Sequence, residues 1–319
     1  MKNKVAIGVL AYNEELHIRE VVTQLSSLDA KIFVIDDKSN DDTLKILKDL
    51  ENDFNLQIIE NEKNYGAGSS TLKLLEEVKA KGFKYLLKVD GDNQFKVSDV
   101  RRMLELLSSE NYDFVKSNRF WEGGLEGKIP NNRYIGNLLA TMLLQFISGT
   151  NKLFDPLNGL FGVDVKFLDI VNKKLYPKRY GYPFYFSTLS AVSFFNIFQI
   201  NNTVTYGNQK SDLSSFKMLF TLIRLTKHFL TLKIKNKILV GKYQRSAFLD
   251  SVFIFCSVLT FITFLRFLLI FTEIQFLNSS FVGSWALILL VISIFTVFVF
   301  VESFKEEKAI RSQYIQNEE

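Results

Sequence analysis

Apolar and polar positions alternate in two distinct ways along the first third of the chain. Short apolar runs, each typical of a buried strand, occupy positions 5–10, 31–36, 56–60, 85–90 and 114–117. Between them Leu, Ile and Val recur at i, i+3 and i+4, which predicts amphipathic helices near 14–27, 41–50, 67–80 and 97–108. This alternation predicts an α/β fold with a mostly parallel sheet. In such sheets, ligands bind beyond the carboxyl ends of the strands.

The pattern changes in the second half of the chain. Between Asp212 and Asp250 there are eight Lys or Arg residues and no acidic residue. One helical face of this segment carries apolar side chains, namely Phe216, Leu219, Phe220 and Ile223. The combination predicts basic amphipathic helices lying on an anionic membrane surface. We therefore divide the chain into an α/β domain at 1–210, juxtamembrane helices at 211–246 and an apolar segment at 247–319.

Two long apolar stretches, about 250–272 and about 281–301, predict a hairpin of two transmembrane helices. Lys and Arg flank the outer ends of the pair and are absent from its loop, so the positive-inside rule places the α/β domain and the C-terminus in the cytoplasm. Arg266 interrupts the first stretch near its far end, and we expect its side chain to reach the interface. The run at 5–10 lacks a cleavage site and is not a signal peptide. The expected location is the inner (cytoplasmic) membrane, in a multi-pass arrangement.

Composition removes several kinds of site. The chain has one cysteine and two histidines, too few for a zinc finger, a disulfide framework or a Cys–His nucleophile pair. Any bound metal must therefore be held by oxygen. The net charge of +5 favours anionic partners. Nucleic acid is the weakest candidate among them, because the basic cluster adjoins apolar stretches of membrane-spanning length.

Two aspartates separated by one glycine close the apolar run at 85–90. Strand residues at i and i+2 point to the same side, so the carboxylates of Asp90 and Asp92 should converge, and Gln94 adds another oxygen. Such an oxygen-only set suits Mg²⁺ or Mn²⁺ with open positions for substrate phosphates. Asp and Gly are also common turn residues, so the motif alone leaves a structural role open.

Other phosphate-binding and nucleophile motifs fail on spacing. Gly66 and Gly68 begin a G-x-G-x-x-G pattern, but Thr71 stands at its third glycine, which argues against a dinucleotide site. Gly127-Lys128 is followed by Ile129, so the pattern of a P-loop is broken. No G-x-S-x-G occurs in the sequence. Hydride transfer, ATP hydrolysis and serine hydrolysis are therefore disfavoured.

Six short motifs occur in an order that resembles the family 2 glycosyltransferases of GT-A fold. They are AYNEE (11–15), IDDKSNDDT (35–43), NYGAGS (64–69), VDGDNQ (89–94), SNR (117–119) and DPLNG (155–159). The likeness covers about residues 4–215 and is strongest to polyprenyl-phosphate glycosyltransferases, the group that includes dolichol-phosphate mannose synthase and bacterial enzymes acting on undecaprenyl phosphate. The C-terminal two-span hairpin is similar to that of the bacterial members.

The resemblance implies a donor side of the site. Residues in contact with the nucleotide-diphosphate sugar would be Tyr12, Glu14, Asp37, Asp90 and Lys210. A divalent cation, Mg²⁺ or Mn²⁺, would be held by Asp90, Asp92 and Gln94. Tyr12 and Glu14 would lie at the nucleoside, Asp37 at its base or ribose, and Lys210 at the diphosphate.

The resemblance also implies an acceptor side. Arg119 and Arg133 match the two family arginines that bind the acceptor lipid phosphate, and a forked guanidinium suits phosphate oxygens. Asn137 stands where relatives often have a small hydroxyl residue. The catalytic set is therefore expected to be Asp92, Arg119 and Arg133. Asp155 would lie beside the active site, although DPLNG is equally typical of a structural turn.

Three departures from the family pattern stand out. Leu10 replaces a common proline before AYNEE, and Lys38 replaces the usual glycine after the two aspartates. Relatives tend to carry an acidic residue after a Gly-Tyr pair, whereas the segment at 180–190 has none. Lys210 with Ser211 is what remains of a later basic motif.

The expected reaction is metal-dependent, inverting transfer of one sugar from a UDP- or GDP-sugar to a polyprenyl (undecaprenyl) phosphate. Two alternatives remain open. A processive polysaccharide synthase would need a Q-x-x-R-W type motif, but neither Trp121 nor Trp285 follows an arginine. A non-catalytic, membrane-anchored scaffold that binds sugar nucleotides is the other. Relatives often assemble through their membrane helices, which makes a homo-oligomer an expectation here.

Overall fold

The computed structural model describes residues 4–121, 125–126, 131–202, 204–205, 215–241, 243–272 and 279–317. The chain forms two compact units. The first consists of Met1–Ile147, Asn151–Phe229 and Tyr314–Glu319, and the second of Ser148–Thr150 and Leu230–Gln313. The first unit therefore reaches beyond the predicted boundary at 210, and it includes the residues that follow the apolar segment.

An eight-stranded sheet forms the centre of the first unit. Its strands are β1 (Val5–Ala11), β2 (Lys31–Asp36), β3 (Leu56–Glu60), β4 (Tyr85–Asp90), β5 (Phe114–Asn118), β7 (Phe161–Asp164), β8 (Ile197–Asn201) and β10 (Ile315–Asn317). Two further strands, β6 (Leu125–Glu126) and β9 (Val204–Thr205), pair with each other. The spatial order of the large sheet is β10-β8-β5-β7-β4-β1-β2-β3.

Most strand pairs in this sheet are parallel, as predicted. The exception is β7, which runs antiparallel to both β4 and β5. The strands are joined by α1 (Ile18–Ser26), α2 (Thr43–Glu51), α3 (Ala67–Ala80), α4 (Val97–Ser108), α5 (Asn131–Ser148), α6 (Phe167–Ile170) and α7 (Tyr182–Val192). Because both faces of a parallel sheet are covered, its central strands consist almost entirely of buried residues. This core fixes the strand ends at which polar side chains meet.

The last described strand, β10, returns to the sheet after the apolar segment. It pairs in parallel with β8, with Ile315 opposite Ile197. Ile315 is fully buried, and the hydroxyl of Tyr112 donates a hydrogen bond to Gln316 Oε1 at 2.8 Å. The chain therefore leaves the first unit within a helix and rejoins it as an edge strand.

Placing a charge in β10 should weaken the first unit. We expect Ile315→Asp to lower the free energy of unfolding by about 2–4 kcal/mol, because a carboxylate would replace a buried side chain. Thermal unfolding of the detergent-solubilised protein measures the effect. Ser312→Asp, at an exposed position on the same segment, is the matched control and should change little. Equal unfolding temperatures for the two variants would contradict this strand's contribution to stability.

The second unit contains most of three long helices: α8 (Ser215–Val240), α9 (Gln244–Thr272) and α10 (Ser279–Arg311). Two of them are long and apolar enough to cross a membrane, within Gln244–Arg266 and Trp285–Arg311. The hydroxyls of Thr260 and Thr296 form a hydrogen bond of 3.1 Å between α9 and α10. The guanidinium of Arg266 lies 4.9 Å from the ring centroid of Trp285, so this charge stacks on an aromatic ring.

A buried group of charges lies in the second unit. Lys237 pairs with Asp250 at 2.5 Å and with Glu307, and Arg311 pairs with Glu307 at 2.7 Å. Lys233 lies 3.6 Å from each of the two carboxylates. Lys233 and Lys237 belong to the basic run that predicted a membrane-surface helix. These two side chains are buried among carboxylates and do not face an anionic surface, while the juxtamembrane position of the helix stays a prediction. The four residues of the predicted apolar face, Phe216, Leu219, Phe220 and Ile223, lie outside the described side chains.

Candidate active site

A cavity of about 250 Å³ lies at the carboxyl end of β4. Its wall includes Asp90, Asp92, Gln94, Arg119, Asn158, Gly159, Tyr180, Tyr182 and Asn202. Four of the residues predicted from the sequence are therefore brought together: both aspartates, the glutamine and one arginine. They come from the ends of two strands that are not adjacent in the sheet, because β7 lies between β4 and β5.

The two aspartates repel each other within this cavity. Burial, together with the nearby charge of Asp90, raises the pKa of Asp92 to about 6. The backbone N–H of Gln94 donates a hydrogen bond of 3.3 Å to Asp92 Oδ1. A divalent cation would relieve this repulsion, and carboxylate and amide oxygens are ligands that Mg²⁺ and Mn²⁺ accept. The donor set therefore fits the expected metal.

Glu14 adds a third acidic side chain near the pair. Its backbone N–H donates a hydrogen bond of 2.8 Å to Thr43 Oγ1, which holds the loop after β1. Burial, with the charges of Asp92, Asp90 and Asp41, raises the pKa of Glu14 to about 8. The protonated carboxyl group is therefore favoured at neutral pH, and a cation bound nearby would lower this pKa.

We expect this proton to make the metal-free protein less stable as the pH rises. Between the ordinary glutamate value of 4.5 and about 8, the folded state holds a proton on Glu14 that the unfolded state has lost, so the free energy of unfolding falls as the pH increases. Glu14→Gln should flatten this dependence. Thermal unfolding from pH 5 to 8 in a chelator measures it, with Glu51→Gln on the exposed end of α2 as control. Parallel curves for wild type and Glu14→Gln would contradict the assignment.

Arg119 is held by a buried carboxylate. Its Nε and Nη2 donate hydrogen bonds of 2.7 Å to the two oxygens of Asp155, and its backbone N–H donates one of 3.0 Å. Burial alone would raise the pKa of Asp155, but the charge and hydrogen bonds of Arg119 hold it below its usual range. The bidentate geometry fixes the guanidinium at the cavity wall. Asp155, predicted to lie beside the site, thus orients one of its arginines.

Hydrogen bonds from Lys116 hold the backbone at the start of the DPLNG segment in place. The ammonium group of this buried lysine donates hydrogen bonds to the backbone carbonyls of Phe154 and Asp155. Burial lowers the pKa of Lys116 to about 8. Asn158 Nδ2 donates to Ser117 Oγ at 2.6 Å and to Asp155 Oδ2 at 3.2 Å. The segment therefore combines its turn role with the placement of Arg119.

Asp37 lies in a network of hydrogen bonds with the NYGAGS loop. Its carboxylate accepts bonds from the backbone N–H groups of Tyr65 at 2.9 Å and Gly66 at 2.7 Å, and from Asn61 Nδ2 at 2.8 Å. A Cβ on Gly68 would lie 2.0 Å from the carbonyl oxygen of Pro177, so this glycine permits a close backbone approach. The geometry gives the Asp37 carboxylate a loop-holding position. Its contact with a nucleoside stays a prediction.

The substitution of Lys38 for a family glycine has a backbone consequence. Lys38 has φ of 65°, in the left-handed region that glycine adopts without strain. The backbone of the turn after β2 therefore has the conformation that a glycine favours, although the residue there is a lysine.

The remaining predicted residues lie apart from the described cavity wall or outside the described side chains. Tyr12 is exposed, and Asn137 is buried on α5 with no hydrogen-bond partner for Oδ1 among the described residues. Arg133 lies on α5, but its side chain is outside the described part of the chain, as is the whole of Lys210. The site roles of these four residues stay predictions.

The sequence analysis missed two residues of the cavity wall, Tyr182 and Asn202, and one residue, Lys88, that contacts the wall through Asp90. Lys88 is fully buried on β4 and donates a hydrogen bond to Asp90 Oδ1. Tyr182 begins α7, in the segment that lacks the family's acidic residue, and its ring centroid lies 5.4 Å from Lys88 Nζ. Asn202 is buried, and its side-chain amide has no partner among the described residues. The period-2 alternation placing Lys88 on the side of Asp90 is the signal that could have identified it.

Comparison with known proteins gives a consistent result. Residues 6–169 match the family described as glycosyl transferase family 2. Two curated relatives are similar to this chain: UDP-N-acetylglucosamine--dolichyl-phosphate N-acetylglucosaminyltransferase from Methanococcus voltae, 27% identical over 53% of this chain and 73% of the relative, and dolichol-phosphate mannosyltransferase from Pyrococcus furiosus, 23% identical over 50% of this chain and 46% of the relative. Across the curated relatives, the match spans between 46% and 73% of their own length.

A solved structure supports the same fold. Glucosyl-3-phosphoglycerate synthase from Mycobacterium tuberculosis, in complex with Mn²⁺, UDP and glucosyl-3-phosphoglycerate, matches with a TM-score of 0.54 at 19% identity, covering 70% of this chain and 79% of that one. This likeness confirms the GT-A fold predicted from the sequence. The resemblance to polyprenyl-phosphate glycosyltransferases is also confirmed by the two relatives.

Proposed function

Because the chain belongs to glycosyl transferase family 2, we propose that this glycosyltransferase moves one sugar from a nucleotide-diphosphate sugar to a polyprenyl phosphate in the membrane. The observation that carries the proposal is the meeting of Asp90, Asp92, Gln94 and Arg119 at one cavity. Such a transfer needs one group that binds a cation at the departing diphosphate and another that binds the attacking phosphate.

On the donor side, Asp90, Asp92 and Gln94 would hold Mg²⁺ or Mn²⁺. When bound, the cation offsets the negative charge that develops on the departing nucleoside diphosphate. Tyr12, Glu14, Asp37 and Lys210 would contact the donor, as the family resemblance implies. The complex of glucosyl-3-phosphoglycerate synthase with Mn²⁺ and UDP supports divalent metal use in this fold. The name of the relative from Methanococcus voltae also gives a UDP-sugar as its donor.

On the acceptor side, Arg119 and Arg133 would bind the lipid phosphate, with Asn137 nearby on α5. An ionised phosphate oxygen attacks the anomeric carbon as the bond from that carbon to the diphosphate oxygen breaks, and attack from the opposite face inverts the centre. The phosphate is already anionic, so positioning matters more than a strong base. The exposed apolar side chains on α5, namely Tyr134, Ile135, Leu138, Leu139 and Met142, support a lipid acceptor.

The apolar helices would anchor the enzyme at the level of the lipid headgroup. Two crossings return the chain to the side from which it started, and β10 belongs to the catalytic unit. This agrees with the orientation implied by the positive-inside rule, in which the catalytic unit and β10 are cytoplasmic. Assembly into a homo-oligomer through these helices belongs to the same proposal.

A donor screen tests the function. Purified protein is incubated with radiolabelled UDP- and GDP-sugars, undecaprenyl phosphate and Mg²⁺ or Mn²⁺, and lipid products are separated by chromatography. We expect one donor to yield a product carrying a single sugar. Products of many lengths would identify a processive synthase instead. Calorimetric binding of a sugar nucleotide without turnover would identify a scaffold.

A further inference from the structure

Lys88 is a buried cation that contacts Asp90, one of the proposed metal ligands. It lies on β4 two residues before Asp90, so both side chains point to the same side of the sheet. Its side chain is fully buried, and its ammonium group donates a hydrogen bond to Asp90 Oδ1. The ring centroid of Tyr182 lies 5.4 Å from the same ammonium nitrogen. Lys88 is therefore held in place by the interior of the domain.

Because Gly159 has no side chain, there is room beside it for the ion pair between Lys88 and Asp90. A Cβ at Gly159 would lie 2.4 Å from Asp90 Oδ2 and 2.9 Å from Lys88 Nζ. The DPLNG backbone thus packs directly on the pair. The Asp90 side chain is 43% exposed, so its carboxylate meets Lys88 on one side and remains accessible on another.

This arrangement leaves few protein ligands for a cation. Within the described part of the chain, no group of three or more His, Cys, Asp or Glu side chains is arranged to hold a metal ion. Mg²⁺-type sites of this kind are completed by substrate phosphates in addition to one or two carboxylates. The positive charge of Lys88 further reduces the negative potential at Asp90. A divalent cation is therefore attracted to Asp90 less strongly.

We propose that Lys88 makes cation binding depend on the nucleotide diphosphate. It is a positioning residue that fixes the Asp90 carboxylate and offsets its charge, so the empty enzyme binds a divalent cation weakly. The diphosphate supplies the missing charge and oxygens, and the cation binds together with it. This inference rests on the proposed function, since it assumes a nucleotide-diphosphate donor at the same cavity.

Titration of Mn²⁺ followed by electron paramagnetic resonance tests the proposal without measuring turnover. For the wild type, we expect UDP or GDP to raise the affinity for Mn²⁺ at least about tenfold. Lys88→Met removes the charge while keeping a long side chain. It should bind Mn²⁺ at least about tenfold more tightly than wild type in the absence of nucleotide, and the enhancement by nucleotide should shrink accordingly.

Two further variants separate the local effect from a general one. Lys84→Met removes one positive charge immediately before β4, where Lys84 pairs with Glu110 at 2.7 Å, and it should leave the Mn²⁺ affinity unchanged. In the double variant Lys88→Met/Asp90→Asn, the gain in affinity should disappear, because the gain acts through Asp90. A gain that persists there would overturn the proposal.

The remaining outcomes are also decisive. Unchanged Mn²⁺ affinity in folded Lys88→Met overturns the role of Lys88, even if the wild type transfers sugar. If Lys88→Met does not fold, the wild type still tests the proposal, since equal Mn²⁺ affinity with and without a bound nucleotide overturns it. Failure of the wild type to bind either nucleotide, with no transfer in the donor screen, overturns the proposed function itself.

Discussion

Replacing Asp92 with asparagine is expected to reduce sugar transfer at least about a thousandfold without unfolding the protein. The carboxylate shares the cavity wall with Asp90 and Gln94, and a neutral amide at this position would bind a divalent cation more weakly than the charged carboxylate does. The raised pKa of Asp92 shows that its negative charge is unfavourable in the metal-free protein. Removing that charge should therefore leave the unfolding temperature unchanged or higher.

A fall in transfer without a fall in the unfolding temperature distinguishes lost catalysis from lost folding. Initial rates with the donor found in the screen, together with thermal unfolding of the same preparation, provide both measurements. Asp49→Asn, on the exposed side of α2, is the matched control and should retain transfer. Full metal-dependent turnover by Asp92→Asn would contradict its role in holding the cation.

Replacing Asp155 with alanine is expected to damage both stability and transfer. Its side chain is fully buried, and its loss would leave the guanidinium of Arg119 and the buried ammonium of Lys116 without their carboxylate. Removing one partner of a buried ion pair costs about 3–5 kcal/mol of unfolding free energy. Transfer should also fall at least about a hundredfold, because Arg119 would no longer be held at the cavity.

A surface pair on the same domain provides the control for this variant. Asp169 pairs with Lys79 at 2.8 Å, and both side chains are largely exposed. Asp169→Ala should therefore change the free energy of unfolding by about 1 kcal/mol or less. Chemical denaturation of the two variants gives the comparison. Equal losses of stability would show that the Arg119–Asp155 pair has no special structural weight.

The sequence predicted the elements that carry a strong local pattern. The bounds of β2, β3 and β4, and of α3 and α4, agree with the apolar runs and helical periodicity. In these elements the local pattern and the tertiary environment favour the same structure. The two membrane-length helices were recognised for the same reason, because their length and composition are sufficient.

Short strands late in the chain were not predicted. The strand β7 is four residues long and inserts antiparallel between β4 and β5, while β10 pairs with a strand more than a hundred residues earlier. Such short segments carry little periodicity, and their conformation is decided by the neighbouring strands. Apolar alternation alone therefore underestimated the width of the sheet.

The site shows a similar division. The motifs identified Asp90, Asp92 and Arg119 because their residue types carry obvious chemistry. Lys88 and Lys116 escaped attention, because a lysine in a strand is ordinarily a solvent-exposed residue. Only the three-dimensional structure shows that each is enclosed and that each holds a part of the cavity wall in place.

The position of β10 in the sheet has a consequence for biogenesis. The ribosome makes this strand after both apolar helices, so the sheet has an unfinished edge until those helices have been synthesised. Completion of this sheet therefore requires that both apolar helices are made first, and a nascent chain released before Ile315 would carry every motif of the proposed active site on an incomplete scaffold.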